Sequence, residues 1–158
     1  MQGYVLTVDR KVNASPEAIF DVLSDASKHS LIDGSGMVQG AVDQNPERLT
    51  LGSTFGMGMK MVVFHYSTVN KVVEFEENRL IAWQTGPSGG WGRHIAGRIW
   101  RYRLEPVDGG TKVSESWDIT PDHQRMLLKL GDIYSGKTRR DMERTLGRLD
   151  ELVSGRSG

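Results

Sequence analysis

The chain has 158 residues, 20 basic and 20 acidic side chains, four histidines and no cysteine. That length suits a single domain, residues 1–158, large enough to bury a core. The cancelled charge argues against nucleic-acid binding by bulk electrostatics, and the missing cysteine excludes disulfides, thiolate catalysis and cysteine metal sites.

From Tyr4 the residues alternate as a strand to Val12, with Tyr4, Leu6, Val8 and Arg10 on one face. Ser15-Pro16-Glu17 then opens a helix: Ser15 can cap the free amides, Pro16 fits the first helical position, and Glu17 suits the positive end of the dipole. Ile19, Phe20, Val22 and Leu23 supply its buried stripe. A second short helix is expected from Asp25 to Ile32, ending at the loop Asp33-Gly34-Ser35-Gly36. Six strand-like segments follow, roughly Met37–Val42, Ser53–Met59, Met61–Phe75, Leu80–Thr85, Arg93–Glu105 and Thr111–Ile119. After Pro121 the period becomes helical again, with a short stretch from Met126 to Leu130. Met142, Leu146, Leu149 and Val153 form the stripe of a longer amphipathic helix. Gly131 and Gly136 interrupt this region, which admits either one kinked helix or two. The ordered domain is expected to span about residues 4–153.

Consecutive strands with short turns imply an antiparallel sheet, and several of the 19 glycines (Gly52, Gly56, Gly58 and Gly97) lie inside strand-like runs, which implies strong curvature. The reading is an α+β fold in which a curved seven-stranded antiparallel sheet wraps a long C-terminal helix, with two short helices after the first strand.

The sharpest functional lead is a misplaced charge. Along Thr111–Ile119, Val113, Glu115, Trp117 and Ile119 share one face, so Glu115 points inward among hydrophobes. A buried charge there must be paired, protonated or bound to something. On the preceding strand the inward set is His94, Ala96, Arg98, Trp100, Tyr102 and Leu104. A hairpin through Pro106–Gly110 puts Tyr102 opposite Glu115, about 5 Å away, with Trp100 and Trp117 beside it and Arg98 within diagonal or two-pair reach. The cluster reads either as a structural Glu–Arg or Glu–Tyr pair closing the core, or as the polar anchor of a ligand pocket. A third reading makes Glu115 a general acid or base. Trp83 is assigned inward with Ile81, and Phe55 and Met57 to the core or an adaptable binding wall. His29 and Asp33, spaced four apart, read as a surface histidine and a helix-ending aspartate, the other reading being an acid/base pair at the mouth of a site. The remaining histidines, His65, His94 and His123, are too scattered for metal spacing, so neither a metal site nor another cofactor is expected. The basic residues of the last helix, Lys137, Arg139, Arg140, Arg144 and Arg148, read as a solvated face, the alternative being contact with an anionic membrane or ligand headgroup. Residues Gly86–Gly92 read as the lip of a pocket. No run is apolar enough for stable membrane insertion, and Met1-Gln2-Gly3-Tyr4 lacks the parts of a signal peptide, so a cytoplasmic protein is expected.

Four stretches resemble the START-like, helix-grip superfamily, in its bacterial polyketide cyclase/dehydrase and lipid-transport (SRPBCC) branch. They are Val12–Asp25, Thr68–Phe75, Trp100–Pro106 and Gly109–Trp117. The resemblance implies a cavity between sheet and C-terminal helix that takes a small hydrophobic or amphipathic molecule: a lipid, polyketide or aromatic metabolite. It equally admits an enzyme of the cyclase, aromatase or dehydratase type that uses Glu115 and Tyr102 for proton transfer. It names no protein partner.

Overall fold

The computed structural model describes residues 4–41, 46–61, 64–87 and 97–155. Strand β1 (Val5–Val12) leads into α1 (Pro16–Leu23), whose start is fixed as the sequence predicts. Ser15 Oγ accepts the Ala18 amide at 3.2 Å, and Pro16 sits where no helical donor is needed. Asp25 accepts the Ser27 amide at 3.0 Å and opens a 3-10 turn, Ala26–Lys28, that runs directly into α2 (His29–Ile32).

The sheet follows as β2 (Val38–Ala41), β3 (Thr54–Met61), β4 (Phe64–Glu76), β5 (Leu80–Pro87), β6 (Ile99–Val107) and β7 (Gly110–Asp118). Its spatial order is β1-β7-β6-β5-β4-β3-β2, and every neighbouring pair is antiparallel. Six strands of eight to thirteen residues make the curled half-barrel, and the four-residue β2 extends one edge. The register shifts between Val38 and Gly40 and between Val72 and Glu74. Such irregularities bend a strand and sharpen its twist. Only the first of them involves glycine, so glycine content was a partial guide to curvature.

The C-terminal region is two helices, α3 (Arg125–Ser135) and α4 (Lys137–Ser154). Gly136 separates them at φ 59°, a left-handed conformation that ends one helix and that other residues adopt at a cost. Helix α4 buries Met142, Leu146 and Leu149 against β1, β7, α1 and α2. Asp150 accepts from Arg10 Nε and Nη2, both at 3.1 Å, which ties α4 to the outer strand. At Gly34 the loop after α2 lies directly on α4. A Cβ there would stand 2.3 Å from the Asp141 carbonyl oxygen, and the Gly34 amide donates to Thr145 Oγ1 at 2.9 Å. No helix among the described residues is long and apolar enough to cross a membrane.

Candidate functional site

The β6–β7 hairpin has the register that its short turn dictates: Leu104 faces Val113, Tyr102 faces Glu115 and Trp100 faces Trp117. Glu115 is 2% exposed. Its Oε1 accepts the Tyr102 hydroxyl at 2.9 Å, while Oε2 is buried with no hydrogen-bond partner among the described residues. Burial pushes the Glu115 carboxyl up to about 8; the Tyr102 hydrogen bond pulls the other way, and the nearby charge of Asp33 adds to the rise. The Tyr102 phenol lies well above its ordinary range, from burial first and from the neighbouring Glu115 second. At neutral pH the carboxyl is therefore held as the acid. Because Oε1 is already an acceptor for Tyr102, the acid proton belongs on Oε2.

An aromatic wall continues from this pair. Trp83 lies 5.5 Å from Tyr102 and 5.7 Å from Phe55, centroid to centroid, and stacks on His29 at 4.8 Å with an interplanar angle of 19°. Trp100 and Trp117 are 6.3 Å apart. Phe55, Met57 and Trp83 are all buried, as their strand phases predict.

His29 overturns its expectation as a surface residue. It is 8% exposed, and its Nε2 donates to the Leu23 carbonyl at 2.8 Å. A carbonyl oxygen only accepts, so Nε2 carries the proton, and burial lowers the ring's pKa. The signal was present in the sequence: Leu23, Ala26, His29 and Ile32 recur every third residue and are all buried. That is the spacing of a 3-10 turn, which a search at α-helical period passes over. Asp33 ends α2 as expected, its amide donating to the His29 carbonyl at 3.1 Å, and it also organises the following loop, accepting the Ser35 amide at 3.1 Å and the Val38 amide at 3.0 Å.

Arg98 is not Glu115's partner. Its Nε faces Asp122 at 3.7 Å, the side chain is 38% exposed, and Nε makes no hydrogen bond among the described residues. Arg98 lies just before β6, but its carbonyl accepts the Thr85 amide at 2.9 Å and its side chain lines the same cavity as Trp100 and Tyr102, so the inward facing holds and only the partner differs. His94 and most of the Gly86–Gly92 segment lie outside the described residues, as does the side chain of His65; His123 is exposed.

These side chains line one cavity of about 940 Å³ between the sheet and the C-terminal helices. His29 and Ile32 come from α2, Phe55 and Met57 from β3, Trp83 from β5, Trp100 and Tyr102 from β6, Glu115 and Trp117 from β7, and Met142 from α4. Two polar features were missed. Asn70, 3% exposed, accepts the Thr85 hydroxyl at 2.6 Å and donates to the Phe55 carbonyl at 3.4 Å. Its alternation with Val72 would have placed it inward. Asp132 on α3 is buried, accepts the Tyr4 hydroxyl at 3.0 Å through Oδ2, and leaves Oδ1 without a partner among the described residues. Among the described residues no group of three His, Asp or Glu side chains is placed to hold a metal.

Residues 5–154 match the family described as "Polyketide cyclase / dehydrase and lipid transport". The chain belongs to that family. A relative in Mycobacterium tuberculosis, the uncharacterized protein Rv0088, is 32% identical over 160 residues, covering 95% of this chain. The chain spans 66% of that relative's length. Protein Ms6760 from Mycobacterium smegmatis shares the fold with a TM-score of 0.71 at 13% identity, covering 99% of both chains. The Polyketide_cyc-like protein Cgl2372 from Corynebacterium glutamicum does so with 0.60 at 20% identity, covering 97% of this chain and 93% of its own. These likenesses place the chain in the helix-grip superfamily that the four sequence stretches resemble.

Membership in the cyclase/dehydrase and lipid-transport family supports a ligand-binding or cyclase role. In this member the pocket wall is mainly apolar, and Glu115, a neutral acid, is part of that wall. A protonated carboxyl there can donate to a carbonyl or ether oxygen of a guest. It would repel no neutral molecule, whereas a guest carboxylate would gain less than from a cation.

Proposed function

We propose that this protein binds a small, mainly apolar molecule, and that the Glu115–Tyr102 pair fixes the orientation of one polar atom of that molecule. The observation that carries the reading is Glu115 Oε2. It is a buried polar atom with no partner among the described residues, on the wall of a 940 Å³ cavity, while its twin oxygen is held by Tyr102. A purely architectural acid would satisfy both oxygens from the protein, because each one left unpaired costs about 1–3 kcal/mol. The lipid, polyketide and aromatic classes all meet the size and polarity that this pocket offers. Native mass spectrometry of protein purified from its own host without detergent should reveal a bound mass. An apolar fluorophore should compete with it, and Glu115→Ala should weaken the natural ligand more than the fluorophore. No bound mass, no fluorophore binding and unchanged thermal stability across lipid and aromatic libraries would together refute the reading.

The second reading, an enzyme of cyclase, aromatase or dehydratase type, is favoured by one observation. A carboxyl held near 8 stands close to neutral pH, where a general acid works best. Glu115 would protonate a carbonyl or hydroxyl oxygen, with Tyr102 holding its other oxygen. Glu115→Gln should then nearly abolish turnover and leave affinity within a few fold. Turnover equal to wild type removes Glu115 from the chemistry.

A further inference from the structure

Helix α3 carries an apolar face that no other described residue covers. Met126, Leu127, Leu130, Ile133 and Tyr134 are 63%, 71%, 49%, 59% and 87% exposed. At 100° per residue these five span about 120° of the helix circumference, a continuous stripe. The opposite side of the same helix is anchored: Asp132 is buried on Tyr4, and Leu128 packs on the core.

The surroundings of this stripe are basic. Residues 125–140 hold five cations, Arg125, Lys129, Lys137, Arg139 and Arg140, and a single acid, the buried Asp132. Lys137 is engaged by Asp141, just beyond the segment. Lys129, Arg139 and Arg140 are exposed and have no carboxylate at ion-pair distance among the described residues. In a chain whose charges cancel overall, this is a local positive excess in the same stretch of chain as the exposed hydrophobes.

We propose that α3 docks peripherally on an anionic lipid surface, with its apolar stripe among the acyl chains and the flanking cations on the headgroups. The combination of an apolar stripe and a basic border is what such a surface rewards. Eleven residues make a helix of about 16 Å, too short for a hydrocarbon core of about 30 Å, so α3 lies in the interface and does not span it. A second copy of the chain fits less well, since a two-fold contact on this face would set its cations against themselves. The placement has a consequence for the cavity. Leu127, Leu128, Gly131 and Asp132 of α3 line it, so the docked helix puts the cavity rim at the lipid. The docking itself rests on the exposed face and stands independently of which molecule the cavity takes.

The test is sedimentation of the full chain with phosphatidylcholine vesicles, with and without phosphatidylglycerol, at low and high salt. Binding is expected only when the anionic lipid is present, and it should fall as salt rises. Ile133→Asp should weaken it roughly tenfold or more, from the lost burial of one large side chain. Arg139→Gln combined with Arg140→Gln should weaken it roughly 20- to 30-fold. Both variants change exposed positions, and urea unfolding and fluorophore binding should match wild type, which separates lost docking from lost fold or lost cavity. No partition, partition equal for neutral and anionic vesicles, or binding indifferent to Ile133→Asp would overturn the proposal. So would a wild-type dimer in ultracentrifugation that Ile133→Asp converts to monomer, which would assign the face to a second copy.

Discussion

Replacing Glu115 by Gln should make the protein more stable at alkaline pH and leave it unchanged in acid. The folded carboxyl titrates at about 8, against 4.5 when unperturbed. Below 4.5 both folded and unfolded chains hold the proton, and the group's contribution is constant. Between 4.5 and 8 the unfolded chain has released it while the folded chain keeps it, so rising pH favours unfolding by about 1.4 kcal/mol per pH unit. The loss reaches roughly 3 kcal/mol at pH 7 and on the order of 5 kcal/mol above 8. Those are large fractions of a typical domain stability of about 5–15 kcal/mol. Gln keeps the size of the side chain and an oxygen to accept from Tyr102, but it does not titrate. Urea unfolding of wild type and Glu115→Gln at pH 5, 7 and 9 isolates this group, because every other titration is common to both proteins. The gap should widen steadily in favour of Gln. Curves that stay parallel to within about 0.5 kcal/mol across that range would refute a buried neutral acid.

Tyr102→Phe should cost about 1–3 kcal/mol by stranding Glu115 Oε1, and it should raise the Glu115 carboxyl further, since the lost hydrogen bond is the influence that lowers it; carboxyl-carbon NMR titration reads the second effect directly. His29→Ala should destabilise by about 2–4 kcal/mol through the lost Leu23 hydrogen bond and the lost stack on Trp83, measured by urea unfolding. Because burial lowers the His29 pKa, the wild-type ring contributes stability above its unperturbed 6.5 that declines as pH falls below it. The Ala variant should lack that decline, and an imidazole seen by proton NMR to protonate near 6.5 would contradict its burial. Gly34→Ala should cost about 1–3 kcal/mol, because its Cβ would meet helical backbone at 2.3 Å and 2.7 Å that has no room to retreat; a change below about 0.5 kcal/mol would mean that the loop moves freely off α4.

Much of the fold was readable along the chain because its signals are local. Ser15-Pro16-Glu17 specifies a helix start within four residues, and the period-two runs specify which side of each strand is buried. The heart of the site was readable for the same reason. A turn of a few residues at Asp108-Gly109 fixes the β6–β7 register, and alternation then sets Tyr102 against Glu115 without reference to anything else. Even His29 left a trace in its three-residue spacing, although that trace belongs to a period rarely sought.

Arg98 marks where such reasoning stops. Alternation does put Arg98 on the cavity side with Trp100 and Tyr102, but it cannot say which acid the side chain meets there, and that acid is Asp122, 3.7 Å from Nε, not Glu115. The sequence therefore determined the facing and pairing of side chains inside regular elements, down to the acid–phenol contact at the cavity wall. Tertiary structure alone decided the rest. The approach of Gly34 to Thr145, of Tyr4 to Asp132 and of Asp33's charge to Glu115 joins residues 82 to 128 positions apart. So too the cavity volume and a carboxyl held near 8 arise from how distant elements exclude water together, and no local periodicity records that exclusion.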